Sequence, residues 1–531
     1  MTTNSKTYKT TTSTDELIKR VAALDALKQH DTADKEALTT FHVDGLGKSI
    51  VSGYESLRNA AEYTESHTLF QRAMVRFFVR NFHSANAKRI DSLAKELVVE
   101  LTLSGYIEND SVTEKKMDQI KELAKTYWDF YSRHRQSRSI DMKAYVFGPL
   151  AARVEDVLFP YNKGFTMVQF AYEYFAKRYE GELSKSLDKR RAHLTLLIAT
   201  AMALIKPTEG AIRHDILSRY RVSIKNDSEY IAMNRELDGI FEDRRTKRVV
   251  RKVSNRCTPF RVLLRQVEKT GDISNIQGDK ERFMTECGWT IKEVYEETGR
   301  AVRSGIVKSI VFLIITKMVI GIAIEVPYDL VVEDKIIWLP LIINLLFPPV
   351  YMFMLSLTLV LPGEHNTKLL ENQIEEVLYE TDEDMVLNRS DKNDSVFSST
   401  NYGAVFNFFY WLFFIAIVAL TSWGLVSLGF SWPAFIIFFI FVSTASFLAF
   451  RLSRLVREVE ARGENNQSIG QSMRDFLYMP FVVIGQWVSE KYAKINLVSN
   501  LLDIFVELPM KDLLRAVRRW NGFLSSKKDE L

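Results

Sequence analysis

Charge is missing from one long stretch of this chain. From Ser395 to Phe450, 56 residues pass without an Asp, Glu, Lys or Arg. In a protein that is 26% charged, this excludes an ordinary water-facing surface. One bilayer crossing takes about 20 apolar residues, so the stretch is long enough for two. Cysteine is nearly absent as well. Cys257 and Cys287 are the only two, which excludes a disulfide framework. Glycine and proline are scarce, at 23 and 12 of 531 residues. Few turn-formers and a helix-favouring composition argue for an all-α chain. The Thr/Ser-rich lead from Met1 to Thr14 lacks an apolar leader core, so roughly the first 300 residues are expected to stay on the side of synthesis.

Signatures of chemistry are also lacking. The eight histidines do not cluster at metal-ligand spacing. His214-Asp215 is a neighbouring pair with no second pair to complete a site. Gly45-Leu46-Gly47-Lys48-Ser49 has the end of a phosphate-binding loop, but His42 stands where the pattern needs its first glycine. The segment before it, Glu36–Phe41, has no aliphatic run to form the required strand. No hydrolase elbow or paired-carboxylate signature stands out. The reading assigns no catalytic residue, cofactor or metal.

The apolar residues concentrate after residue 305, and four spans can be drawn: Ile306–Val326, Ile336–Leu361, Ala404–Leu428 and Pro433–Phe450. The short connections Pro327–Asp334 and Gly429–Pro433 carry no Lys or Arg. Arg300, Arg303 and Lys308 precede the first span, and Arg451, Arg454, Arg457 and Arg462 follow the fourth. The positive-inside rule then places both termini in the cytoplasm. Segment Gly363–Tyr402 becomes an acidic cytoplasmic loop, with ten Asp/Glu against three Lys/Arg. Lys317 is the anomaly of the first span. It lies nine residues past Lys308 and eight before Glu325, about 12–13 Å from either charged end, too deep for its stem to reach the surface. The second span holds Asn344 and Pro348-Pro349. The prolines remove two donors and free carbonyls that need a polar partner, for which Lys317 is a candidate. Lys317, Asn344, Pro348 and Pro349 are therefore the candidate intramembrane functional residues, as a hinge or path lining. The plain alternative is a kink and a buried lysine that pack four helices. By contrast, the uncharged second hairpin reads as passive.

The polar part divides into a loosely ordered lead (1–50), with one short helix at Asp15–Lys28, and a cytoplasmic helical domain (51–304). Helical patterns run over Tyr54–Phe82, Lys88–Ser104, Thr113–Arg135, Met167–Glu180, Leu194–Ile205, Ile212–Tyr220, Ser228–Phe241 and Arg282–Thr298. The remainder is a first hairpin (305–361), the acidic loop (362–402), a second hairpin (403–450) and a tail (451–531). A basic run of Arg244, Arg245, Lys247, Arg248, Arg251, Lys252, Arg256, Arg261 and Arg265 suits lipid headgroups, an acidic partner or the chain's own acidic loop Gly363–Tyr402. Only Phe260 interleaves it, which argues against nucleic acid. In the tail, Phe476–Val488 and Ile495–Leu508 are too short to span. Over Lys511–Leu524, Leu513, Leu514, Val517, Trp520 and Leu524 form a stripe, with Lys511, Arg515, Arg518 and Arg519 largely off it. That is an amphipathic helix suited to an anionic leaflet. The closing Lys528-Asp529-Glu530-Leu531 matches a luminal retrieval signal, on what this topology makes the wrong side.

Phe41-His42-Val43-Asp44 followed by Tyr54-Glu55-Ser56-Leu57-Arg58-Asn59, together with Ile495-Asn496 and the segment from Leu502-Asp503 to Glu507-Leu508-Pro509, resembles uncharacterised multi-pass membrane proteins of candidate-phyla bacteria. The resemblance implies a bacterial inner-membrane setting and no activity. Taken together, the residues predict a non-enzymatic integral membrane protein, acting as a scaffold, assembly or regulatory module. Its expected partners are the bilayer with its anionic headgroups, cytoplasmic proteins or further copies of the chain. The rival readings are an oligomeric channel or transporter using the Lys317/Pro348-Pro349 hairpin, and a membrane-anchored enzyme.

Overall fold

The computed structural model describes residues 9–37, 39–43, 52, 66–84, 87–271, 273–332, 334, 337–379, 403–461 and 478–488. Their regular elements are all helices, without a strand among the described residues. Two compact units divide them. The first takes the described residues up to Phe283 together with 374–379, and the second those of 284–373 and 403–488.

The first unit opens with α1 (Thr12–Ala37), longer than the short helix expected for the lead. It continues with α2 (Ser66–Ser84), α3 (Ala87–Leu103), α4 (Glu114–His134), α5 (Gly148–Leu158), α6 (Gly164–Leu183), α7 (Lys189–Leu204), α8 (Glu209–Arg219), α9 (Asp227–Phe241), α10 (Arg244–Ser254) and α11 (Thr258–Thr270). Caps set several starts. The side chains of Thr113, Asp188, Thr208 and Asp243 accept from backbone N–H groups in the first turns of α4, α7, α8 and α10, satisfying donors that a helix leaves open. Aromatic residues fill the interior. Phe77, Phe78, Phe82, Tyr131 and Phe147 form a chain of ring contacts with centroids 5.5–5.7 Å apart. Where α5 meets α8, a Cβ on Gly210 would lie 2.5 Å from the Gly148 Cα, so only glycine allows this crossing. The sequence patterns did not single out α5, α10 or α11.

In the second unit, α12 (Lys280–Ile320) passes through a π-helical turn, Gly321–Glu325, into α13 (Val326–Val332). Next come α14 (Trp338–Ser356), α15 (Glu364–Leu378), whose residues from Ile374 onward belong to the first unit, α16 (Gly403–Ser427), α17 (Trp432–Arg457) and α18 (Tyr478–Val488). The helix running from Lys280 to Val332, together with α14, α16 and α17, supplies four helices long and apolar enough to cross a membrane. Two expectations are corrected. Residues 327–332 are helix rather than a connecting loop. Part of the expected acidic loop is α15, whose Leu370, Ile374, Val377 and Leu378 are buried at helical spacing. The expected turn at Gly429 is present, with φ +79° and the Phe430 N–H donating to the Leu425 carbonyl at 3.1 Å. This is the left-handed close that glycine favours after a helix.

The core of the second unit joins α12, α14 and α17 through Leu313, Met352, Ile437, Phe441, Ala445 and Ala449. Helix α16 stays outside it. Phe408, Trp411, Ile415, Leu420, Trp423 and Val426 are all exposed, a broad apolar face suited to lipid, while Leu425 on its other side is buried. Within the second hairpin α17 is central and α16 peripheral. Trp338, Trp423 and Trp432 are exposed near the ends of α14, α16 and α17 that adjoin the two short connections, where an interfacial aromatic belt would sit. Helix α18 packs Phe481 against Leu425, Phe438 and Val442. It falls within Phe476–Val488, the apolar segment too short to span. The segments Gly45–Ser49, Ile495–Leu508 and Lys511–Leu524, with Lys511, Arg515, Arg518 and Arg519, lie outside the described residues.

Candidate functional site: a buried ion pair among three apolar helices

Lys317 lies on the inner face of α12 and is 2% exposed. An ammonium so placed needs a counter-charge, since an unpaired ion in low dielectric is strongly unfavourable. Glu325, 1% exposed, supplies it: Lys317 Nζ donates to Glu325 Oε1 at 2.6 Å. The two residues are eight apart, and on a straight α-helix that spacing leaves them about 80° out of phase. The π-helical turn absorbs one extra residue. Seven effective steps then remain, and a heptad returns to within about 20° of its starting face. Pro327 gives a local cause for this turn. It has no N–H to donate, and its ring crowds the carbonyl four residues back; a π-turn just before it relieves both problems. The backbone irregularity is what brings the acid over the base.

Two further helices close the pair. Asn344 of α14, fully buried, uses both amide hydrogens. One goes to Glu325 Oε1 at 2.9 Å and the other to the Ala434 carbonyl of α17 at 3.1 Å. Both partners are acceptors, which fixes the orientation of the amide. From α17, the Phe441 ring lies 5.0 Å from Lys317 Nζ, a cation–π contact inside an apolar shell. One turn beyond Glu325, Asp329 is 5% exposed, and its Oδ2 accepts from the Ile337 N–H at 3.5 Å. Asp329 Oδ1 and Asn344 Oδ1 are buried and have no partner among the described residues.

The structure therefore brings Lys317 and Asn344 together, as part of a polar cluster centred on Glu325. It corrects the role expected of Lys317. The ammonium is bound to a carboxylate and does not satisfy carbonyls freed by the prolines. Pro348 and Pro349 are buried inside α14, which continues unbroken from Trp338 to Ser356. Glu325 and Asp329 were missed as site residues. Glu325 was visible only as the charged end of a shorter span, because a straight helix puts it on another face than Lys317.

A second buried charge, Arg213, belongs to the first unit and was also missed. It is 1% exposed. Its guanidinium donates to Glu209 at 2.5 Å, to the Asn234 carbonyl and side chain at 3.1 Å each, and to Asp238. Tyr145, whose hydroxyl donates to Asp238, lies under the guanidinium at 5.3 Å. Burial, then the Asp238 carboxylate, push the Tyr145 phenol above its usual range. Every face of the guanidinium is engaged, as a structural arginine requires. Cys257 and Cys287 are buried free thiols, not a bridge. Burial pushes the Cys257 thiol up to about 12, which leaves it inert rather than nucleophilic. Among the described residues no group of His, Cys, Asp and Glu has the makings of a metal site.

No protein-family model, curated protein or solved structure matches this chain.

Proposed function

We propose that this chain is a non-enzymatic integral membrane protein. Its apolar unit is a locked anchor, and its helical first unit is a scaffold, assembly or regulatory module in the cytoplasm. The observation that carries this reading is the closure of Lys317. Its ammonium is held by Glu325 at 2.6 Å, capped by Phe441 and 2% exposed, and so is spent inside the bundle. A path-lining lysine would instead face water or a mobile ion. The arrangement of Arg300, Arg303 and Lys308 against Arg451, Arg454 and Arg457 supports cytoplasmic termini. The resemblance noted above extends the proposal to a bacterial inner membrane.

The second reading, an oligomeric channel or transporter, is favoured by one observation. Glu325 and Asp329 outnumber Lys317, and two buried oxygens beside them lack a donor. A site with a surplus carboxylate would suit a permeating cation or proton. Reconstituting the full chain into sealed vesicles tests between the two. The anchor reading predicts Na⁺, K⁺ and proton fluxes no greater than in protein-free vesicles. A flux that disappears in Lys317→Leu or Asp329→Asn would overturn it.

A further inference from the structure

The basic run that begins at Arg244 is not one surface, because the structure sorts its cations into two sets. Arg245 folds back onto Asp243 at 2.8 Å and reaches the Ser186 carbonyl at 3.2 Å. Arg261 donates to the Ala203 carbonyl at 2.6 Å. Lys252, Arg256 and Arg265 are engaged as well. Arg244, Lys247, Arg248 and Arg251 are exposed, and their side chains make no hydrogen bond or ion pair among the described residues. They stand at i, i+3, i+4 and i+7 of α10, within an arc of roughly 100° and over about 10 Å of helix. The opposite face carries Thr246, Val249 and Val253, all buried against the first unit. Asp243 is held below the usual carboxylate range by the Arg245 guanidinium, and it caps the start of the helix. The helix is therefore fixed by its back face and its cap, and four unneutralised cations point the other way.

We propose that this face of α10 binds the anionic surface of a lipid bilayer. A row of point charges without an intervening aromatic side chain suits a field of phosphates. The one aromatic in the run, Phe260, is fully buried, so the face offers no platform for stacking bases. Four helices of this chain are long and apolar enough to cross a membrane, so a bilayer is the polyanion most constantly within reach. Cations near such a surface each strengthen binding about fivefold, and the attraction fades with salt. The inference does not depend on whether the apolar unit conducts.

The test uses the full chain in lipid nanodiscs, with a fluorophore on Asn255→Cys, an exposed position on the same face. Both native thiols are buried, so the label goes to that site. The quencher is a nitroxide on a lipid headgroup, carried either by the disc or by separately added vesicles, so that the face is probed whichever bilayer it meets. The expected result is quenching with phosphatidylglycerol and not with phosphatidylcholine. Quenching should fall severalfold as salt rises, and fall to the phosphatidylcholine level in R244Q/K247Q/R248Q/R251Q. Those side chains are exposed, so an unchanged thermal transition verifies the fold of the variant. Equal quenching in the two lipids, or quenching that survives the four substitutions, overturns the proposal. Protection of the label by an oligonucleotide or an acidic peptide, with no quenching by anionic lipid, also overturns it and assigns the face to that partner.

Discussion

Asn344 holds three helices with one amide. Its two N–H groups reach the Glu325 carboxylate of the first span and the Ala434 carbonyl of α17. Asn344→Leu keeps the volume and removes both donors. Interhelical hydrogen bonds in membranes are worth about 0.6 kcal/mol on average, and bonds to charged groups more. The expected loss is about 1–2 kcal/mol, read as a lower thermal transition of the protein in detergent or nanodiscs. No change would mean that the amide is incidental. At this scale the sequence was half legible. Lys317 and Asn344 stand out because polar side chains in an apolar run require an explanation. The partner of Lys317 did not stand out, because on an ideal helix Glu325 falls about 80° away on another face. A π-turn cannot be read from 3.6-residue periodicity, although Gly321 and Pro327 on either side of Glu325 are the residues that permit one. Arg213 gave no signal, since a buried arginine and a surface arginine read alike in a polar helix.

Elements were more legible where one requirement dominated. The four apolar helices follow from length and hydropathy alone. Helices α3, α4 and α9 lie within a few residues of their expected bounds because apolar periodicity and start signals agree there. Two helices were hidden by charge. Thr246, Val249 and Val253 mark the inner face of α10, and Leu370, Ile374, Val377 and Leu378 that of α15. Both patterns are buried under a density of charged residues that reads as a solvated run. Helix α18 shows what a single glycine does for packing. A Cβ on Gly485 would stand 2.1 Å from the Ser443 carbonyl oxygen of α17, which is backbone and cannot step aside. Gly485→Ala should push α18 away from α17 at a cost of about 1–3 kcal/mol. Hydrogen exchange checks this directly. Amides of Tyr478–Val488 should lose protection while those of α17 keep theirs. Unchanged protection of α18 would show that the close approach is not a constraint.

At the scale of the whole molecule, the ion pair decides whether the apolar unit is an anchor or a path. A buried pair is weak evidence for stability as such, because desolvation offsets much of the attraction. Breaking it is different, since the surviving charge stays buried without a partner. The most direct test compares Lys317→Leu, Glu325→Leu and the double variant in the full chain, by thermal and denaturant unfolding in nanodiscs. Each single variant should lose about 3–5 kcal/mol, and K317L/E325L should recover most of that loss. The same double variant should leave the first unit folded and vesicle flux at background. Single variants as stable as the parent, or a double variant no better than the worse single one, would contradict the account of Lys317 and Glu325 as the lock of the proposed membrane anchor.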